Sequence, residues 1–394
     1  MTVGTGPFVR DRMTVLAYSV LGAYTFWLYA FGPALSLLRA ELGFSYTMIS
    51  IYSALWAVGS ILAGLIFLAL ASRIGRRVLL WSSALVTCGG AAMFTLCHGL
   101  APTLVAALVM GWAGTTVQIT TQSVLADRHG PRRDTAFVES NIGAGAAAVL
   151  APAALGILQS TPASWRAGMA VPALALAVLF LRYHRESFPS AVSHTVGRAG
   201  RRSGLPWPCR LLCVLVAVGI GVEFCVVYFG AELLVATTNL GTSTAATAMT
   251  AFYAGVLLGR IAGARLTGRF GRTGVLVGWS LAITLAGLLT LLFSANAVVA
   301  VIALFATGLG IANQFPLVLA LALAAAPNRT DAANAHAQLL GGVVVLAFPF
   351  LLGTIADHTD LTAGFTVAPA LTAASALCLV ATLRATAIKV SAAT

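Results

Sequence analysis

Twelve apolar runs, each about twenty residues long, limit what this chain can fold into. They cover residues 13–38, 46–70, 78–97, 101–125, 135–159 and 165–181, then 209–235, 243–267, 274–294, 297–325, 331–356 and 362–385. A helix of about 20 residues crosses a hydrocarbon core of about 30 Å, and it satisfies its own backbone groups on the way. Composition agrees: 59% of the 394 residues are hydrophobic, 9% are charged, and mean hydropathy is +0.94. A soluble domain carries about 25% charged residues to hydrate its surface. The expectation is an all-α membrane protein with twelve transmembrane helices in two pseudo-symmetric six-helix bundles.

Charge placement tests the span count. Twelve spans put both termini on one side, and every one of the 23 Lys and Arg residues except Arg39 and Arg166 then falls there. A wrong count would scramble that bias, which the positive-inside rule assigns to the cytoplasm. The expected setting is therefore the plasma (inner) membrane, with cytoplasmic termini. The same clustering in short inter-span gaps argues against nucleic-acid binding despite a net charge of +12. Arg10 to Arg12 precede a run too long for a signal peptide, so the first run reads as a retained span.

The two halves resemble each other. An offset of roughly 197 residues carries Arg73, Gly75 and Arg76 onto Arg269, Gly271 and Arg272, and Gly59 onto Gly255. Asp134, Gly145, Pro152 and Gly156 likewise fall on Asp331, Gly342, Pro349 and Gly353. The predicted organisation is an N-terminal bundle over 1–181, a cytoplasmic Arg-, Ser- and Pro-rich linker over 182–208, and a C-terminal bundle over 209–394. Parallel repeats of this kind are a transporter architecture.

These residues carry a resemblance to the major facilitator superfamily, over essentially the whole chain. Its Gly-x-Leu-Ala-Asp-Arg-x-Gly-Arg-Arg-like loop motif after span two appears as Leu70-Ala71-Ser72-Arg73-Ile74-Gly75-Arg76-Arg77. A second copy is Leu266-Thr267-Gly268-Arg269-Phe270-Gly271-Arg272. Ser72 stands where the family has Asp, a residue that in relatives helps latch the cytoplasmic side by charge pairing. Ala151-Pro152 near Gly156 looks like a degenerate antiporter motif. Gly221-Val222-Glu223-Phe224 and Gly310-Ile311-Ala312-Asn313-Gln314-Phe315-Pro316 look more like the sugar-permease-like branch.

The polar residues inside spans are the candidates for function. Glu223 sits at the centre of span seven, where an ionised carboxylate costs about 2.5–3.5 kcal/mol, so it is the proton-coupling candidate. The bland alternative is a protonated Glu acting as structural glue. Asn313, Gln314 and Gln118 offer amide donors and acceptors to a polar solute, or equally to neighbouring helices. Trp27 and Trp112 are the aromatic candidates for a solute face. Glu139, His336 and Arg260 lie near the cytoplasmic ends of spans five, eleven and eight and are candidate gate residues, against a snorkelling alternative.

These features favour a secondary transporter of a small organic solute, coupled to protons and preferring a neutral polar, sugar-like substrate. Export of drugs or amphipathic metabolites is the alternative. The expected partners are a small-molecule substrate, the lipid bilayer and protons, with the protein acting as a monomer. No enzyme motif is visible: there is no Gly-Lys-Ser/Thr phosphate loop, no His-Glu-x-x-His and no Gly-x-Ser-x-Gly. The six cysteines lack paired spacing and read as small core residues, so neither metal nor cofactor is expected.

Overall fold

The computed structural model describes residues 9–130, 133–188, 205–270, 273–326 and 330–391. Among them there is no strand. Twelve helices are long and apolar enough to cross a membrane. In chain order they are α1 Arg12–Leu42, α2 Tyr46–Phe67, α3 Ala69–Leu96, α4 Leu100–His129, α5 Glu139–Gln159 and α6 Ser164–Tyr183. The rest are α7 Trp207–Thr238, α8 Thr242–Gly263, α9 Thr273–Phe293, α10 Ala297–Ala324, α11 Leu339–His358 and α12 Leu361–Thr382. All twelve predicted runs are helices.

Local chemistry explains the joints. Helix runs from Tyr46 to Leu96 with a kink at Gly75, inside α3, whose φ of 75° is a left-handed conformation that an L side chain resists. Asn296 caps α10 by accepting from the backbone N–H groups of Val298 and Val299. Helix α10 breaks after Ile311 and resumes at Gln314.

By its contacts the chain forms two compact units. One comprises Met1–Ala30, Leu55–Ala151 and Arg166–Thr195; the other comprises Phe31–Ala54, Pro152–Trp165 and Val196–Thr394. The end of α1, the start of α2 and the α5–α6 connection thus cluster with the C-terminal helices.

Glycine lets helices cross at backbone distance, and the duplication repeats the crossing. In the first unit a methyl at Gly59 would strike the Leu108 carbonyl, and one at Gly111 the Trp56 carbonyl, where α2 meets α4. In the second unit Gly255 meets the Phe305 carbonyl and Gly308 the Phe252 carbonyl, where α8 meets α10. Residues 56, 59, 108 and 111 map onto 252, 255, 305 and 308 at the repeat offset, so the internal resemblance is a duplication of contacts. Such close approach is how helices associate in lipid, where apolar burial alone gives no preference for a neighbour.

In the second unit α7 packs against α10, α11 and α12, and α10 against α8 and α9. Cys209 and Cys213 lie fully buried there with Val216, Val277, Leu281 and Val318, as the sequence reading of small core residues anticipates.

Candidate functional site

Glu223 occupies the middle of α7, half-buried, beside Gly221, whose face is filled by Phe348 and Val344 of α11. Among the described residues it takes part in no hydrogen bond and no ion pair. Arg260, exposed on α8, is the opposite charge that acts on it. Helix geometry makes this reach natural. Side chains tilt toward their own helix's N-terminus, and α7 and α8 are joined by a short turn and run in opposite directions. The long arm of Arg260 and the shorter one of Glu223 therefore lean toward each other's level.

The amides divide into two kinds. Asn313 donates from Nδ2 to the Gly259 carbonyl at 2.6 Å, at the break in α10, and its side chain fills the space that a Cβ on Gly263 would need. Gln314 is 5% exposed and donates from Nε2 to the Thr284 hydroxyl at 2.8 Å. Both tie α10 to its neighbours. Gln118 on α4 is half-buried and makes no side-chain hydrogen bond among the described residues.

The tryptophans divide in the same way. Trp27 is 1% exposed, and its indole N–H donates to the Met169 carbonyl at 2.8 Å, stitching α1 to α6. Trp112 is half-buried on α4. Trp112, Thr115 and Gln118 follow at three-residue steps and so share one side of α4. Thr115 donates to the Ser60 hydroxyl at 2.8 Å and lies 3.4 Å from the Tyr24 hydroxyl. A ring, an amide and hydroxyls thus lie together in the first unit.

Charged groups gather at the end of the first unit that carries the loop motif. Arg76 is ion-paired with Asp127 near the end of α4, while Arg73 is exposed. Gly271 and Arg272 of the second copy lie outside the described residues, as does the side chain of Arg269. Glu139 accepts a bidentate pair from Arg10, at 2.8 and 2.7 Å, plus the Tyr18 hydroxyl at 3.3 Å. His336 is half-buried in the helix Thr330–His358. A cavity of about 460 Å³ opens among Asp11, Arg12, Met13, Asp127, Arg128, Glu186, Ser187 and Phe188. Its walls hold two ion pairs, Arg128–Asp11 and Arg12–Glu186. Burial opposes ionisation of Asp11, but hydrogen bonds from the Thr14 hydroxyl and backbone, with Arg128, outweigh it and hold the carboxyl below its usual range.

Sequence reading missed several charged residues: Asp11, Asp127, Arg39, Glu232, Glu41 and Asp357. Each lies at or within a few residues of a span end, where charges are ordinary, so no signal set them apart. No cluster of three or more metal-ligating side chains occurs among the described residues.

The model of the Major Facilitator Superfamily matches residues 16–231 and again 211–393. The chain belongs to this superfamily. Its second match begins at α7, where the sequence repeat begins. No curated protein matches the sequence. Among solved structures, the fold is similar to a bacterial homolog of the human lysosomal transporter Spinster in an inward-facing, occupied conformation. The TM-score is 0.79 and identity 13%, over 96% of this chain and 98% of the other. It is also similar to a single-site mutant of the nucleoside transporter NupG, with TM-score 0.74 and 13% identity, over 94% and 98% of the two chains. At such identity the likeness is one of fold. The chain is a multi-pass membrane protein with the architecture of a transporter.

Proposed function

We propose that this protein is a proton-coupled secondary transporter that carries a small, neutral, polar organic solute by alternating access. In this reading it lies in the inner membrane with both termini cytoplasmic. The observation that carries it is Glu223, a carboxylate at the middle of a membrane helix that makes no hydrogen bond among the described residues and has Arg260 as its counter-charge there. Such a group is expensive in lipid unless it exchanges protons or meets water. It is the proton carrier of the proposal, and Arg260 is its counter-charge. Glu139, His336 and Arg260 are assigned to the cytoplasmic gate.

The α4 surface supplies the solute contacts. Trp112 offers a stacking face, Gln118 an amide unpartnered among the described residues, and Thr115 a hydroxyl. These suit a ring bearing hydroxyls, a class that includes sugars and nucleosides, better than a strong anion.

A thermal-shift screen of purified protein against sugars, nucleosides, organic acids and amphipathic drugs identifies the ligand. Counterflow in proteoliposomes then reports exchange, and uptake against an imposed pH gradient reports coupling. Gradient-driven accumulation should vanish in Glu223→Gln while counterflow survives. If accumulation is unchanged in that variant, Glu223 is not the proton carrier. Outward pumping of a drug-like hit would replace import with export.

A further inference from the structure

We propose that Arg39, Tyr46, Glu232 and Asp357 form a charged latch that shuts the face of the protein opposite the loop motif. This rests on the alternating-access reading. Arg39 ends α1 and Glu232 lies near the end of α7. The guanidinium pairs with the carboxylate at 2.9 Å, and Glu232 is 5% exposed. The Tyr46 ring covers the other side of the guanidinium, 3.9 Å away. Such a cation is held by charge and by the ring together. Asp357, one residue before the end of α11, accepts the backbone N–H groups of Tyr46 and Thr47 at 2.8 and 2.7 Å. It thereby caps the first turn of α2, where a negative charge also meets the positive end of the helix. The four residues come from α1, α2, α7 and α11, and all belong to the second compact unit.

The pseudo-symmetry shows what has been added. Gly353 of α11 packs on the Tyr46 carbonyl and Ser50 of α2, and Gly156 of α5 packs on the Ser243 carbonyl and Thr247 of α8. Residues 156, 243 and 247 are the repeat partners of 353, 46 and 50, so one apolar crossing occurs twice. Among the described residues the charges occur at one crossing. Ser160 stands at the position equivalent to Asp357, and its hydroxyl meets the Ser243 hydroxyl at 3.3 Å. Leu35, fully buried, stands at the position equivalent to Glu232, and its neighbour Ala34 is buried and apolar as well. The charged cluster therefore sits beside one of the two symmetric crossings and not the other.

Hydrogen exchange of the unmodified full chain in detergent micelles reads the latch directly, with neither substrate nor proton gradient. The readout is protection of the Tyr46 and Thr47 amides. Losing one partner of a buried ion pair is costly, so Glu232→Gln should speed their exchange by at least about tenfold. Asp357→Asn should act in the same direction, and exchanging the charges (Arg39→Glu with Glu232→Arg) should restore much of the protection. Exchange in the middle of α4 should stay as in the wild type, and Glu223→Gln should leave the Tyr46 and Thr47 amides protected. Unchanged protection in Glu232→Gln overturns the latch, even where counterflow and proton coupling behave as proposed. A rise spread equally over α4 overturns it too, because the pair would then hold the fold and not one face. Failure of gradient-driven uptake with these exchange results intact would instead strike only the coupling role of Glu223.

Discussion

Arg76, just past the Gly75 kink in α3, is ion-paired with Asp127 near the end of α4, and its side chain is 8% exposed. Ser72, at the position where the superfamily carries an acid, is exposed and donates its hydroxyl back to the Ala69 carbonyl at 3.0 Å. The motif arginine is thus held within its own unit and needs no acid in the loop.

Asp127→Asn should therefore destabilise the protein by about 3 kcal/mol, because it strands a largely buried guanidinium beside a neutral amide. Ser72→Asp should change stability by less than about 1 kcal/mol, since its charge is solvated. Thermal unfolding of the detergent-purified variants distinguishes the two. Equal shifts would show that the Arg76–Asp127 pair contributes little.

The Asp11–Arg128 pair just ahead of α1 should respond to acid. Burial works against the charge of Asp11, yet Thr14 and Arg128 make it ionise more readily in the folded protein than in the unfolded chain. A carboxyl with a lowered folded pKa adds stability above its unfolded value, about 3.9, and loses that contribution as pH falls through the folded value. The melting temperature of the wild type should exceed that of Asp11→Asn at pH 6, and the gap should narrow as pH falls below about 4. A gap that persists at the lowest pH would assign the effect to packing instead of charge.

The duplicated crossings predict a paired mutational pattern. Alanine at Gly59 or Gly308 places a methyl into a backbone carbonyl of the facing helix, so each should cost about 1–3 kcal/mol. Gly64 has open space at the same point and faces outward, so Gly64→Ala should be neutral or stabilising by up to about 1 kcal/mol. Melting temperatures in one detergent suffice to compare them. If Gly59→Ala and Gly64→Ala behave alike, helix contact at the crossing is not close.

The same contrast explains what could be read before the structure. Span number and the repeat were legible because hydrocarbon thickness fixes helix length, and because Gly, Pro, Asp and Arg residues recur at one offset. Gly59 and Gly255 announced the crossing from sequence, and their partners Gly111 and Gly308 completed it only in three dimensions. The candidate site was less legible. An amide inside a span looks the same whether it binds a solute or a neighbouring helix, and nothing local separates Gln314, which bonds to Thr284, from Gln118, which makes no side-chain hydrogen bond among the described residues. Arg39 and Glu232 are far apart in sequence and each sits near a helix end, so their pairing had no one-dimensional trace.

That ambiguity yields a prediction that sorts the candidates. Asn313→Ala removes the hydrogen bond that anchors the break in α10 and leaves the Gly259 carbonyl without this donor, which should cost about 1–2 kcal/mol. Trp27→Phe keeps an aromatic ring but removes the donor to Met169, and should cost about 1 kcal/mol. Both should lower the melting temperature without ligand and change solute affinity little per folded molecule. Gln118→Ala and Trp112→Ala remove groups with no hydrogen-bonded role in the described residues, so the unliganded protein should melt within about 0.5 kcal/mol of wild type for the glutamine change. Their effect should fall on binding, with Kd rising by about tenfold for each lost polar or stacking contact. Titration of the screened ligand against all four variants checks the division. A Gln118→Ala protein that binds as tightly as wild type would remove α4 from the solute site and return attention to the Glu223 and Arg260 region of α7 and α8.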